Sequence, residues 1–411
     1  MQRFISNGNH NGKAWVLILA LAVLNTGYAA VDKVTSSTLA PINTPSAPIP
    51  PEALLDVGIP PLGDGLALTD EDDTVFPEVR IAETIYFSNQ LAKTMEKSGA
   101  WGAIRVVPNT DVVMDLYITG VILQSDGETL DVDIRVFDTS GREWLSERHR
   151  QVVGKYTYDR RLKTLADPFQ NLFTTIANRV LSIREKMSSE DAARLRQISE
   201  LRFAREFSPA AFGDYISQDR RGILSIERLP AANDSILERI DMIRDRDNLY
   251  IDTMQEYYDA FSRQMHLPYQ DFRRASYDSV VKARQLKKRG NRQIIAGIAG
   301  IIAGIYGRFN SGSLMAFDGS TAAAGAGGYA LKQGLQTKQK AAEQTERVAE
   351  MGASLEAVIA PQVIALEDRS VTLTGTVQAQ YEQWREMLHE IYEQERTLPG
   401  ATAEQQSGSI N

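Results

Sequence analysis

The 411-residue chain contains no cysteine. Disulfide bonds, thiolate metal sites and a lipidated N-terminal cysteine are therefore excluded for this chain. A chain of this length does not need disulfides for stability, because its core buries enough apolar surface. Histidine is scarce too, and its four residues lie far apart without a metal-binding spacing: His10, His149, His266 and His389. A zinc site or a catalytic triad would require convergent partners that the sequence does not indicate.

Motifs for nucleotide binding and nucleophilic catalysis are also missing. The chain has no P-loop, no GxSxG and no dinucleotide-binding glycine turn, so no cofactor and no metal is predicted. Four carboxylates, Asp111, Asp115, Asp131 and Asp133, occur in the predicted sheet region. Asp131 and Asp133 share one side of a strand and could act as an acid–base pair in a wall or lipid hydrolase. Outward polar positions on a half-exposed strand are the commoner explanation, and we predict no enzyme.

The charge balance and the N-terminus indicate a compartment. With 45 basic and 53 acidic residues the net charge is −8, which argues against general nucleic-acid binding. Residues 1–30 combine Lys13, an apolar run over 14–24 and small residues up to Ala30. This pattern is typical of a secretory signal peptide, with an uncleaved N-terminal anchor as the alternative. We therefore expect export to the periplasm or the periplasmic face of the cell envelope.

Residues 31–75 are rich in proline. Seven prolines lie among Ser, Thr and Ala: Pro41, Pro45, Pro48, Pro50, Pro51, Pro60 and Pro61. This composition predicts an extended, poorly packed linker. A tether that spaces the body from a membrane or wall is the functional alternative.

Residues 76–153 predict an α+β domain. An amphipathic helix over 79–97 ends at Ser98-Gly99, and short apolar segments follow at 104–107 and 112–123. Residues 125–128 predict a hairpin turn, because Asp-Gly readily takes positive φ. Alternating residues then give strands over 130–137 and 144–153. The order predicts a helix covering one face of an antiparallel meander.

The rest of the chain is predicted to be mainly helical, over 154–290 and 336–396, with a disordered tail at 397–411. Asp167-Pro168, Ser188 and Asp234-Ser235 each begin a helix, and another covers 270–289. The helix from Ser235 carries a heptad seam that Asp247 interrupts, with apolar members Ile236, Ile240, Ile243, Tyr250, Met254, Tyr257 and Phe261. A polar helix over 332–366 is bent or ended by Pro361, and Thr376 caps the final helix.

Residues 291–335 are the most unusual stretch, with two runs of small and apolar residues. Small residues recur at helical spacing: Gly297, Gly300, Gly304, Gly307, Ala324 and Gly328. Such faces let two helices approach closely, which predicts a Gly-rich helical hairpin. A basic cluster precedes it and could contact lipid headgroups: Lys287, Lys288, Arg289 and Arg292. The apolar run over 294–306 is short for a membrane span, so a soluble packed hairpin and membrane insertion both remain open.

Several segments resemble a family of uncharacterised proteobacterial cell-envelope proteins, many of them lipoproteins. The resemblance lies in RIAETIYFSNQL (80–91), WGAIRVVP (101–108), residues 115–145, DPFQNLFTTIANRV (167–180) and residues 354–392. The family's lipidated cysteine is absent here. More remotely, the phrase LxVxIxVxDxxGR from Leu130 to Arg142 is similar to auxiliary lipoproteins of ABC-type lipid transporters. The resemblance transfers no catalytic residues.

Together these features predict a non-enzymatic envelope scaffold or accessory protein that binds partner proteins. Edge strands of the sheet could add a strand from a partner, and the heptad seam could pair with a helix. Self-association into a homo-oligomer and contact with a membrane through the Gly-rich hairpin are further expectations. A membrane-inserting or lipid-transport accessory protein is the main alternative.

Overall fold

The chain folds as an α+β protein, as the sequence predicts. The structure, a computed structural model, describes residues 32–33, 39–68, 75–158, 166–288, 362–365, 370–373 and 376–397. The predicted signal peptide, the Gly-rich hairpin and nearly all of the C-terminal tail lie outside these residues. The described helices are α1 (Pro77–Glu96), α2 (Gln170–Arg184), α3 (Ser189–Phe207), α4 (Pro209–Phe212), α5 (Ser235–Lys288) and α6 (Val377–Thr397).

The main sheet has the strand order β1-β6-β5-β4-β2-β3. Its members are β1 (Asp32–Lys33), β2 (Val57–Ile59), β3 (Ile104–Val106), β4 (Leu116–Ser125), β5 (Thr129–Asp138) and β6 (Glu143–Val152). Strands β4, β5 and β6 pair antiparallel, whereas β2 runs parallel to both β4 and β3. Two small antiparallel pairs complete the described strands: β7 (Ile216–Gln218) with β8 (Leu224–Ile226), and β9 (Gln362–Ala365) with β10 (Ser370–Leu373).

The alternation that predicts β5 is seen in its burial. Leu130, Val132, Ile134 and Val136 all face the core, and α1 and α2 pack against the same core cluster. The turn over 125–128 joins β4 to β5 as predicted, but the reason given for its glycine is wrong. Positive φ occurs at other glycines. A Cβ on Gly127 would lie 2.5 Å from the Arg273 carbonyl oxygen, so the glycine permits close approach of the turn to α5.

The prediction of a poorly packed linker over 31–75 is wrong for its central part. Ala53, Leu55, Val57, Ile59 and Leu62 are all buried in the main core. They are buried because β2 is part of the main sheet, where it lies between β4 and β3. Proline content alone does not reveal this, since Pro60 and Pro61 follow the strand and leave its backbone donors intact.

The proline-rich residues 39–51, which we call the strap, lie along α2. Three backbone N–H groups of the strap, three residues apart, donate to side chains of α2 and its C-cap that are seven residues apart. These bonds are Ala40 to Asn171 Oδ1 (2.7 Å), Asn43 to Asn178 Oδ1 (2.8 Å) and Ser46 to Glu185 Oε1 (2.8 Å). Ile42 and Ile49 pack against the core beneath. A spacing of three is that of a polyproline II helix, while seven residues make two turns of an α-helix.

Helix α5 is one continuous helix of 54 residues, about 80 Å long. The expectation of separate helices from Ser235 and over 270–289 is therefore wrong. Pro268 lies inside the helix and removes one backbone hydrogen bond without ending it. The predicted seam is buried in its central part, at Ile240, Ile243, Tyr250 and Met254, whereas Ile236 is exposed and Tyr257 and Phe261 are half-buried. This face packs within the chain itself, so it is not a free site for helix pairing.

Helix α6 returns antiparallel along α5. Arg246 near the start of α5 pairs with Glu395 near the end of α6, while Tyr250 stacks on Tyr381 near the start of α6. Thr376 accepts a hydrogen bond from the Ala379 N–H, which confirms the predicted cap. Residues 362–365 form β9 rather than the end of the helix predicted over 332–366, in agreement with the expectation that Pro361 ends it. A proline at this point removes the donor that would continue a helix.

Candidate functional site

A group of polar and ionisable side chains, most of them buried, lies where α1, α5 and the start of α2 meet. We call it the Arg273 cluster, and its members are Glu83, Tyr86, Asp167, His266, Tyr269, Gln270 and Arg273. Asp167 and Arg273 have side chains only 0% and 1% exposed, and Arg273 Nη1 lies 3.3 Å from both oxygens of Asp167. A buried pair of opposite charges needs further hydrogen bonds to offset its desolvation.

Those further bonds come from two helices. The Tyr86 hydroxyl donates to Asp167 Oδ2 at 3.0 Å and lies 2.8 Å from His266 Nδ1. Gln270 Nε2 donates to the same carboxylate oxygen at 2.8 Å. The Phe169 N–H donates to Asp167 Oδ1 at 2.8 Å, which links the cluster to the start of α2. Asp167 thus ties α1, α2 and α5 together.

A second carboxylate, Glu83 on α1, continues the cluster toward the sheet. It accepts hydrogen bonds from the hydroxyls of Tyr269 and Ser125 and from Arg80 Nε. Arg273 also lies over the Tyr269 ring, with its Cζ 4.0 Å from the ring centroid. A buried guanidinium on an aromatic face gains cation–π energy in addition to its ion pair.

The electrostatics keep the tyrosines of this cluster neutral. Burial, followed by the charge of Asp167, raises the pKa of Tyr86 well above its usual range. Burial and Glu83 raise the pKa of Tyr269 in the same way. Burial opposes the charge on Arg273, but the surrounding Tyr269 and Asp167 raise the pKa of its guanidinium overall. The arrangement therefore holds a fixed cation between helices and keeps its phenols as hydrogen-bond donors.

A second clamp joins α5 to α6 and α3. We call it the Asp247 cluster, with members Asp247, Glu206, Tyr381, Trp384, Arg385 and His389. Asp247, the residue that breaks the heptad seam, accepts hydrogen bonds from Arg385 Nη1 (3.1 Å), Trp384 Nε1 (3.2 Å) and the Tyr381 hydroxyl (3.3 Å). Arg385 also pairs with Glu206 on α3. Burial raises the pKa of Asp247 although Arg385 lies beside it.

The carboxylates considered for catalysis occupy unlike environments. Asp131 is fully buried and accepts two hydrogen bonds from Arg148, at 2.8 and 2.7 Å, whereas Asp133 is exposed. Asp115 is buried elsewhere and accepts a hydrogen bond from the Ser199 hydroxyl. Asp111 is exposed. Asp131 therefore serves as a counter-charge for Arg148, and the pair predicted as a candidate acid and base lacks a shared environment.

The histidines are likewise separated. His266 belongs to the Arg273 cluster, and His389 stacks on Phe207 with ring centroids 4.3 Å apart. His149 is half-buried on β6, and burial lowers the pKa of its imidazole. Within the described residues, no group of three or more His, Asp or Glu side chains is placed to hold a metal ion.

The residues proposed for helix packing or lipid contact fall almost entirely outside the described part of the chain. Gly297, Gly300, Gly304, Gly307, Ala324, Gly328, Arg289 and Arg292 lie outside it, and Lys287 and Lys288 are the last residues of α5. Among the helices that the structure describes, none is both long and apolar enough to cross a bilayer.

Sequence reasoning missed both clusters. The usable signal was the polar residue Asp247 at a seam position, and Arg273 in phase with the buried Tyr269, since a charge on a buried helix face needs a partner.

The chain finds no match among protein-family models, curated proteins or solved structures.

Proposed function

We propose that the protein is a non-enzymatic scaffold or accessory protein of the cell envelope that binds partner proteins. The signal-peptide pattern of residues 1–30 and the resemblance to envelope proteins support the location. The proposal includes the finer architecture predicted from sequence, with a helix-and-meander domain, a helical body and a Gly-rich hairpin over 291–335. In it, the hairpin assembles with a partner through its small-residue faces.

The observation that carries the proposal is the double fixation of α5. Asp247 and Arg273 lie 26 residues apart on this helix, about 39 Å, and each is the centre of a buried clamp to other elements. Asn89 on α1 adds a bond of 2.6 Å to Asp259 between them. A helix fixed at two distant points acts as a stiff support. In this proposal the support carries the predicted hairpin, which begins at residue 291, because α5 extends to Lys288.

Cross-linking in whole cells followed by mass spectrometry tests this proposal. The wild-type chain should capture defined envelope proteins through cross-links near residues 291–335. A variant in which a Gly/Ser linker replaces these residues should lose them. The matched control keeps residues 291–335 and instead replaces Arg274, an exposed residue of α5, with Met. A purified protein that is monomeric and captures no envelope partner would contradict the proposal.

Membrane contact is the second candidate function, and the length of α5 favours it. The helix continues through Lys287 and Lys288, so four basic residues of the sequence, from Lys282 on, lie on its last turns: Lys282, Arg284, Lys287 and Lys288. Cations at a helix C-terminus also stabilise the helix dipole, which is the simpler explanation. Carbonate washing of membranes tests whether this contact amounts to insertion, because an inserted protein stays in the pellet whereas a peripheral or soluble one is released.

A hydrolase stays the least favoured alternative. Asp131 is neutralised by Arg148 at 2.7 Å, with Arg150 at 3.6 Å. A general acid or base must instead be free to come within hydrogen-bond distance of a reacting group. A D131N variant that abolished an observed wall-degrading activity without changing the fold would revive this alternative.

A further inference from the structure

The outer face of α5 carries a line of exposed apolar side chains. Met242, Leu249 and Leu267 are 53%, 69% and 67% exposed. At 100° per residue these three and the half-buried Ala260 lie within about 20° of one direction on the helix. That direction is opposite to the buried face that carries Ile240 and Met254. Large apolar residues aligned on a solvent-facing helix surface mark a contact site more often than singly scattered ones do.

The residues of this line are spaced symmetrically about one midpoint on the helix. The midpoint between Met242 and Leu267 falls between Met254 and Gln255, and the midpoint between Leu249 and Ala260 falls at the same place. Two antiparallel copies of α5 related by a twofold axis at this midpoint would place Met242 opposite Leu267 and Leu249 opposite Ala260. An interface with twofold symmetry requires this self-complementarity.

We propose that the outer face of α5 pairs antiparallel with the same face of a second copy of the chain. Charge supports this occupant. Exposed Asp245 and Arg263 lie at nearly mirrored positions on one side of the line, so each Asp245 meets Arg263 of the second copy, twice per dimer. Among the described residues, the ion pair of Arg263 is a 3.9 Å contact to Asp259, and its side chain is 66% exposed, which leaves it available.

The flanks of the face are already occupied within the chain. Arg246 pairs with Glu395 of α6 at 2.9 Å on one side, and Asp252 pairs with Arg105 of β3 at 2.6 Å on the other. The ridge between them carries the apolar line and, close to its midpoint, the exposed Glu256. Contact along one helix, about 38 Å from Met242 to Leu267, is small for a specific interface, so the dimer is expected to be reversible.

The chain's lack of cysteine makes a direct test possible. Two full-length variants, Leu249→Cys and Ala260→Cys, are mixed and oxidised mildly. The antiparallel dimer should give mainly the mixed disulfide, and a parallel pair would instead give the Leu249→Cys homodimer. Ser225→Cys, exposed on β8, is the control and should form few cross-links in the same time.

Sedimentation of the wild-type protein should show reversible growth from one chain toward two as concentration rises from about 1 to 100 µM, the range of a small interface. The double variant Met242→Asp/Leu249→Asp should weaken dimerisation at least tenfold with unchanged helix content. Asp245→Arg should weaken it several-fold, and adding Arg263→Asp should restore it.

The inference extends the proposed scaffold function and can fail separately from it. A wild-type protein that stays monomeric throughout this range overturns it, and the proposed function survives if that monomer still captures envelope partners. An intrachain disulfide between cysteines at Leu249 and Leu355 would also overturn it. That result would show that the predicted helix over 332–366 covers the face.

Discussion

Replacing Arg273 with methionine tests whether the Arg273 cluster fixes α5 to the body. Methionine keeps most of the aliphatic packing but removes the guanidinium, and it leaves the Asp167 charge buried without its cation. Breaking one partner of a buried ion pair costs about 3–5 kcal/mol of unfolding free energy. We expect R273M to lose an amount in this range, measured by urea denaturation with tryptophan fluorescence and circular dichroism.

The neighbouring Arg274 provides the control. Its side chain is 41% exposed and lies 3.9 Å from Asp271, so R274M should change stability by at most about 1 kcal/mol. A double variant R273M/D167N removes both charges and should be more stable than the sum of the single effects, by about 0.5–3 kcal/mol. If R273M costs no more than R274M, the cluster does not hold α5 and the reasoning fails.

Three further changes have defined outcomes. Gly127→Ala places a Cβ 2.5 Å from the α5 backbone and should lower the unfolding free energy, measured by urea denaturation, by about 1–3 kcal/mol. Gly154→Ala, whose Cβ would meet no neighbour within 4 Å, should lower it by under about 1 kcal/mol. Equal losses of stability in the two variants would contradict this account. Burial raises the pKa of Asp115 above its ordinary 3.8, so the folded state binds this proton more tightly than the unfolded state does. The stability of the wild type should therefore fall relative to that of D115N as pH rises from 3.8 to the raised pKa of the folded state. Parallel pH profiles of the two proteins would refute this. Asn178→Ala removes two hydrogen bonds to the strap and should increase amide exchange and proteolysis within residues 39–51. Thr175→Ala, on the same helix, should leave both rates unchanged. If the strap of the Asn178→Ala variant stays protected, these hydrogen bonds are not needed to hold it.

Local patterns predicted most of the elements around the sheet. Alternation at Leu130 to Val136 and the helical spacing over 79–97 correspond to β5 and α1, because each element buries one face against the core. The caps at Ser188 and Thr376 are also confirmed by hydrogen bonds to Asp191 and Ala379. These features depend on neighbours within a few residues, which a sequence displays directly.

The clusters could not be predicted because their members are far apart in sequence. Asp167 and Arg273 are 106 residues apart, and Asp247 and Arg385 are 138 apart. Periodicity identified the helices but not which charged residue would be opposite which. The insertion of β2 was missed for the same reason. A three-residue strand has too few positions to show a period, and its parallel partners, β3 and β4, come much later in the chain.

The strap has a consequence for which changes of length and composition it tolerates. Three residues of a polyproline II helix span about 9.3 Å and seven of an α-helix about 10.5 Å. The repeats of the strap and of α2 therefore differ by about 1.2 Å from each hydrogen bond to the next. A fourth rung would bring Ile49 opposite Ala192, beyond the end of α2 at Arg184. A one-residue insertion would move the later N–H groups of the strap out of register with their acceptors. Proline at position 40, 43 or 46 would remove one of the backbone N–H donors. The side chains at positions 40 and 43 can otherwise change, because those two hydrogen bonds use the backbone of the strap, whereas the Ser46 side chain also bonds to Glu185.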